Sequence, residues 1–290
     1  MDEETLRKLQ SEYTNSKGSE KQRLWREENL RKEFVENFPI EEIPKMKLED
    51  YVVGLPKEDG TRNIHSFCNW IENVTQESGQ IWIGGSGAYV IFFEVERDGE
   101  MINSFMIREG NESTPIREDV AGEEFEKVKR MLYRMLKFGE DDNIDAVKSI
   151  YNEFKMHSHV KAKILHLYFP EMFLNVFSSY WVNSYLNSLD LQIESDAFDG
   201  RMSLMKFKQN DSIMSKWTTQ QFADFLLYTF PPNIKAIKEL DKKKKELIIR
   251  MKELESMFIN GEKGLEDDAL EYNKNLQKKI DEINKQLEEL

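Results

Sequence analysis

A single cysteine, Cys68, occurs in the 290 residues. That excludes an intramolecular disulfide framework and points to a reducing, cytoplasmic setting. Cys68 lies in the aromatic stretch Phe67 to Trp70, so a buried, inert thiol is expected there rather than a nucleophile. No uninterrupted apolar run approaches the ~18 residues of a membrane span. The opening MDEETLRKLQ is acidic and polar, unlike a secretory signal. Motifs of nucleotide chemistry are missing too. The glycine stretch in QIWIGGSGAYVIFFEV (residues 80 to 95) has no lysine after it, whereas a phosphate-gripping P-loop requires G-x-x-x-x-G-K-[ST]. Gly85 and Gly87 fit the first two places of G-x-G-x-x-G, but Val90 stands in the third. There is no G-x-S-x-G nucleophile elbow, and the four histidines, His65, His157, His159 and His166, match none of the zinc spacings. They read as helix-surface or boundary residues. Nothing in the sequence demands an enzyme, a metal or a cofactor.

What is abundant is charge. Charged residues make up 33% of the chain against 39% hydrophobic, and the formal net charge is −13. Such a balance favours long solvated helices and opposes indiscriminate attachment to nucleic acid or anionic membrane, while leaving room for a local basic groove. Lys127, Lys129, Arg130, Arg134 and Lys137 recur along one segment as a candidate positive stripe. Lys161, Lys163, Lys206 and Lys208 add basic charge further on, and Lys242 to Lys245 read as solvated charge on a helix.

Periodicity gives an α+β fold: a small antiparallel β region, a predominantly helical second half, and a C-terminal antiparallel coiled-coil hairpin. Residues 1–33 are charged, with Leu6, Leu9, Trp25 and Leu30 at loosely helical intervals and a break at Asn15 to Glu20. A body over 34–232 follows. There Phe67, Trp70, Ile71 and Val74 have helical spacing, and the glycines separate two strand-like runs. Asp98-Gly99 marks a hairpin between strands near Tyr89 to Arg97 and Ser104 to Arg108. Phe125, Val128, Met131, Leu132, Met135 and Leu136 then form the apolar face of a helix. Further helices are predicted at Ile144 to Lys155, Val160 to Tyr168, Ser179 to Leu189 and Thr218 to Tyr228, the last opened by a Thr218/Gln221 capping box. In 233–290, Ile237, Leu240, Lys244, Leu247, Met251, Leu254 and Phe258 alternate three and four apart. Leu276, Ile280, Ile283, Leu287 and Leu290 resume the rhythm after turn residues Asn260 to Gly264. This hairpin permits intramolecular pairing and homo-oligomerisation alike.

Three stretches taken in order, KLEDYVVGL, HSFCNWIENVT and IWIGGSGAYVIFF, resemble the region that precedes the motor domain of some McrB-like AAA+ restriction proteins. VKAKILHLYFPEMFLNVFS and SKWTTQQFADFLLYTFPP are similar to its later half, so that the likeness spans about Phe34 to Pro232. The resemblance implies a non-catalytic DNA-recognition or sensor module in a restriction or antiphage system, reading DNA that often carries modified cytosine. It also implies AAA+ motor and nuclease subunits as partners. No Walker lysine motif is present here. On this reading Trp82 and Tyr89 offer aromatic faces to a flipped base, Gly85 and Ser86 offer polar groups to its edge, and Lys129, Arg130 and Arg134 meet phosphates. The alternative is an assembly or adaptor protein acting through its hairpin and acidic surface.

Overall fold

A computed structural model describes residues 1–16, 20–53, 55, 63–79, 89–97, 100–109, 112–194, 196–231, 239–240, 242–250 and 274–283. Two helices begin the chain, α1 (Glu3–Ser16) and α2 (Glu20–Asn37). A 3-10 turn, Ile40–Lys45, and the short α3 (Leu48–Tyr51) lead to α4 (Phe67–Asn69), which continues as a π turn over Trp70–Val74. Three strands follow: β1 (Ile91–Arg97), β2 (Glu100–Glu109) and β3 (Glu112–Ile116). The remaining helices of the body are α5 (Glu118–Glu140), α6 (Ile144–Glu153), α7 (Ser158–Tyr168), α8 (Ser179–Ser188), α9 (Ala197–Asn210) and α10 (Thr219–Thr229). The molecule is α+β, as its periodicity predicts. Among the described residues no helix is long and apolar enough to cross a membrane.

The sheet is antiparallel in the order β1-β2-β3. Phe93 faces Phe105 across the first pair, with ring centroids 5.2 Å apart and nearly perpendicular, an edge-to-face contact that fixes register. β3 was not anticipated. It is short and polar and carries Pro115, which is tolerated because β3 is bonded to β2 alone and proline fits an edge strand. The Asp98-Gly99 turn and the 80–88 glycine segment lie outside the described residues.

Two apolar cores divide the body. One gathers Phe34, Tyr51, Phe67, Ile71 and Tyr89 with the inward face of α5 and most of α7. The other joins Tyr13 of α1 to Leu186, Leu204, Phe222 and Phe225. Residues 1–33 are therefore built into the body rather than appended to it. Tyr13 donates to the Gln221 carbonyl at 2.9 Å, Arg7 pairs with Asp211 at 2.8 Å, and Arg31 donates to the Leu167 carbonyl at 3.0 Å.

α5 carries the stripe its sequence suggests, burying Phe125, Val128, Leu132, Met135 and Leu136 at the spacing that places them on one face. Near its end the backbone of Gly139 meets the Phe169 ring so closely that a Cβ would lie 2.4 Å from it. α10 has its capping box, with Thr218 and Gln221 exchanging side-chain and backbone bonds. α9 was missed in the sequence. It has no clean apolar stripe, because Gly200, Arg201 and Lys208 are among the residues it buries, and its start is set by Asp196, which accepts from the amides of Phe198 and Asp199. Beyond the body, residues 242–250 and 274–283 are helical. Leu240, Leu247 and Ile283 line one shared groove, and Leu276, Ile280 and Ile283 are buried at the four-then-three spacing of a helix seam. The expected turn at Asn260 to Gly264 falls outside the described residues.

Candidate nucleic-acid interface

Of the residues singled out from sequence, Trp82, Gly85 and Ser86 lie outside the described residues. Tyr89 does not present its ring to a partner. It is 2% exposed and packs in the first core, where its hydroxyl donates to the Cys68 carbonyl at 3.1 Å. The local reason is that burial does not alternate here: the run Tyr89, Val90, Ile91 and Phe92, leading into β1, is buried throughout, so it closes the core instead of displaying side chains. Trp70 is likewise a core residue, and Cys68 is fully buried, with burial pushing its thiol well up.

The five cations of α5 separate into two kinds. Lys127 pairs with Glu124 and Lys129 with Glu126, both at 2.6 Å, and Lys137 lies between Glu140 and Glu41. Each of these three has an acid three residues away on its own helix, the spacing at which side chains meet. Lys129 is also tucked in. Its side chain is 13% exposed, its ammonium lies 5.4 Å from the Phe125 ring centroid, and it reaches the Met46 carbonyl at 3.4 Å. Arg130 and Arg134 differ. Both are exposed, one turn apart, with no ion pair to a described carboxylate. The stripe is thus a pair of accessible guanidiniums flanked by neutralised lysines.

A second gathering of cations surrounds α7. That helix is buried from Val160 to Tyr168 without a break, so its polar side chains have no solvent to turn to and must find partners inside. Lys161 donates to the carbonyls of Tyr151 and Phe154 (2.8 Å for the latter), closing the end of α6. Burial and the nearby Arg201 lower its ammonium to about 8. His166, expected at a surface or boundary, is instead buried with Nδ1 2.8 Å from the Phe173 carbonyl. Burial holds its imidazole down to about 4. Lys163 is fully buried, and its Nζ makes no hydrogen bond among the described residues. Burial lowers it to about 7, against the opposing pull of Glu27 and Glu72.

Comparison of the chain with protein-family models, with curated proteins and with solved structures gives no match.

At the start of α7 the cations come from several elements. His157 caps the helix through Nδ1, which accepts from the His159 amide at 3.2 Å, and the two imidazoles meet edge to face at 4.7 Å. From α9, Arg201 donates through Nη2 to the Tyr151 hydroxyl at 2.9 Å, and that hydroxyl donates to the Ser158 carbonyl at 2.7 Å. Burial chiefly, and then the charges of Arg108 and Lys161, lower His157. Burial, His157 and Arg201 hold His159 down to about 4. Arg201 escaped sequence reading altogether. Its one signal was an arginine inside a segment too weakly patterned to be read as a helix.

Proposed function

We propose that this chain is a non-catalytic DNA-recognition module, the specificity or sensor part of a McrB-like restriction or antiphage defence system that works with an AAA+ motor and a nuclease. The observation that carries the reading is the Arg130–Arg134 pair: exposed guanidiniums one helical turn apart on a helix whose other three cations are held by acids. In a chain of net charge −13, phosphate contact depends on such local, unneutralised groups. The test is binding of the purified chain to matched duplexes, unmodified and cytosine-modified, across a salt series. Phosphate contacts release counterions, so affinity falls steeply with salt, and Arg130→Ala with Arg134→Ala reduces the logarithmic salt slope by about 2. Salt-independent binding, or none at low salt, overturns the proposal.

The acidic net charge favours a second reading, an assembly protein that contacts only other proteins, with the groove shared by residues 240–250 and 279–283 as its contact. It predicts no DNA binding at any salt, and loss of the partner on removal of 234–290.

A further inference from the structure

Arg201 is 4% exposed, yet its Nη1 has no hydrogen-bond partner among the described residues. A buried charged donor left unpaired costs more than a neutral one, and such groups call for an explanation. The immediate surroundings give none. Nη2 is used by Tyr151, over whose ring the guanidinium also lies at 5.8 Å. Of the acids nearby on the chain, Asp196 is already bonded to the Phe198 and Asp199 amides, with Lys148 3.8 Å away, and Asp199 is paired with Lys148.

The position of the guanidinium is informative. Tyr151 links it to the Ser158 carbonyl in the first turn of α7, an eleven-residue helix whose N-terminal end carries partial positive charge. His157, at the same turn, is exposed and His159 half-buried, so the turn opens to solvent on that side, and the Arg201 charge is felt at His159. Because His157 Nδ1 accepts a bond, the neutral ring carries its proton on Nε2, a donor with no partner among the described residues. Among the described residues the charges felt by the two imidazoles are those of Arg108 and Lys161 at His157 and of Arg201 at His159.

We propose that the first turn of α7 is a phosphate-binding site, in which Arg201 Nη1, His157 and His159 take the oxygens of a phosphoryl group. Such a ligand supplies the acceptor that Arg201 lacks and offsets the mutual repulsion of the cluster. The same chemistry is presented by a nucleic-acid backbone and by a free phosphate.

The experiment follows the imidazole resonances of His157 and His159 in the full chain by NMR, titrated first with inorganic phosphate and then with a short DNA duplex. Phosphate is expected to shift both rings and to raise the protonation midpoint of His159 from its depressed value, since an anion stabilises imidazolium. Arg201→Gln is expected to weaken phosphate binding about tenfold, the loss of one charge-assisted bond. If that variant does not fold, His159→Gln, which leaves the Arg201–Tyr151 bond intact, decides the matter by the same criterion. A response to phosphate and duplex alike assigns the site to a backbone phosphate. A response to phosphate alone upholds the site, assigns it to a free phosphoryl ligand, and removes support from the DNA reading. Unmoved imidazoles in both titrations, or folded variants that bind phosphate as the unaltered chain does, overturn the proposal.

Discussion

α5 and α7 are both rich in cations, and they dispose of them in opposite ways. On α5 the lysines, Lys127 in water and Lys129 tucked against Phe125, are met by glutamates three residues away. On α7 water is excluded, and the satisfied cation, Lys161, is met by backbone carbonyls at the end of another helix. The difference lies in what each pairing leaves behind. A lysine with its glutamate is a neutral unit of small energetic weight. A lysine on carbonyls has its charge offset by no acid, ties two helices together, and adds to the positive field of Arg201.

The comparison breaks most visibly at Lys161. Lys161→Met removes bonds to the Tyr151 and Phe154 carbonyls and leaves both without their donor. Hydrogen bonds to a charged group contribute about 1.5–3 kcal/mol each, so a loss of ~4 kcal/mol is expected in denaturant unfolding. A loss below ~1 kcal/mol would mean that the end of α6 finds other donors.

Acid comes next. His166 is neutral in the folded chain, held down to about 4 by burial, whereas in the unfolded chain it titrates near ~6.5. Between those values the unfolded state binds the extra proton, so its share of stability is complete above the upper value and declines as pH falls toward the lower one. The expected loss is roughly 3 kcal/mol across that window, with a smaller, solvent-screened share from half-buried His159. His166→Gln should remove most of this pH dependence, and an unchanged acid limb in that variant would contradict the assignment.

The same contrast explains what could be read from the sequence. The apolar face of α5, the β1–β2 pair, the capping box of α10 and the seam positions Leu276, Ile280 and Ile283 all follow from local spacing, and each is found. α7 was visible as a helix, but not as a buried one. Whether Lys161, Lys163 and His166 meet water depends on α2, α6 and the segment around Phe173 closing over them, which no local pattern encodes. α9 was hidden for a related reason: its Arg201 and Lys208 point inward, so the polar residues that usually mark the solvent face mark the core. Tyr89 fails in the opposite sense. Adjacency to glycines suggested display, while its place at the head of β1 put it inside.

The smallest effect is expected on the exposed face of α5. Lys127→Ala removes a solvent-exposed pair with Glu124, and such pairs are worth about 0.2–1 kcal/mol, so a change near ~0.5 kcal/mol is expected at low salt. At ~1 M salt the screening length shrinks to about 3 Å, and that difference should vanish. Lys161→Met should cost the same at either concentration, because its carbonyl partners are buried and beyond the reach of mobile ions. If the Lys127→Ala deficit survived high salt, the lysine would be packing rather than pairing, as the partly buried Lys129 does against Phe125. The division between a screened helix and an unscreened one would then hold only for the part of α5 that carries Arg130 and Arg134.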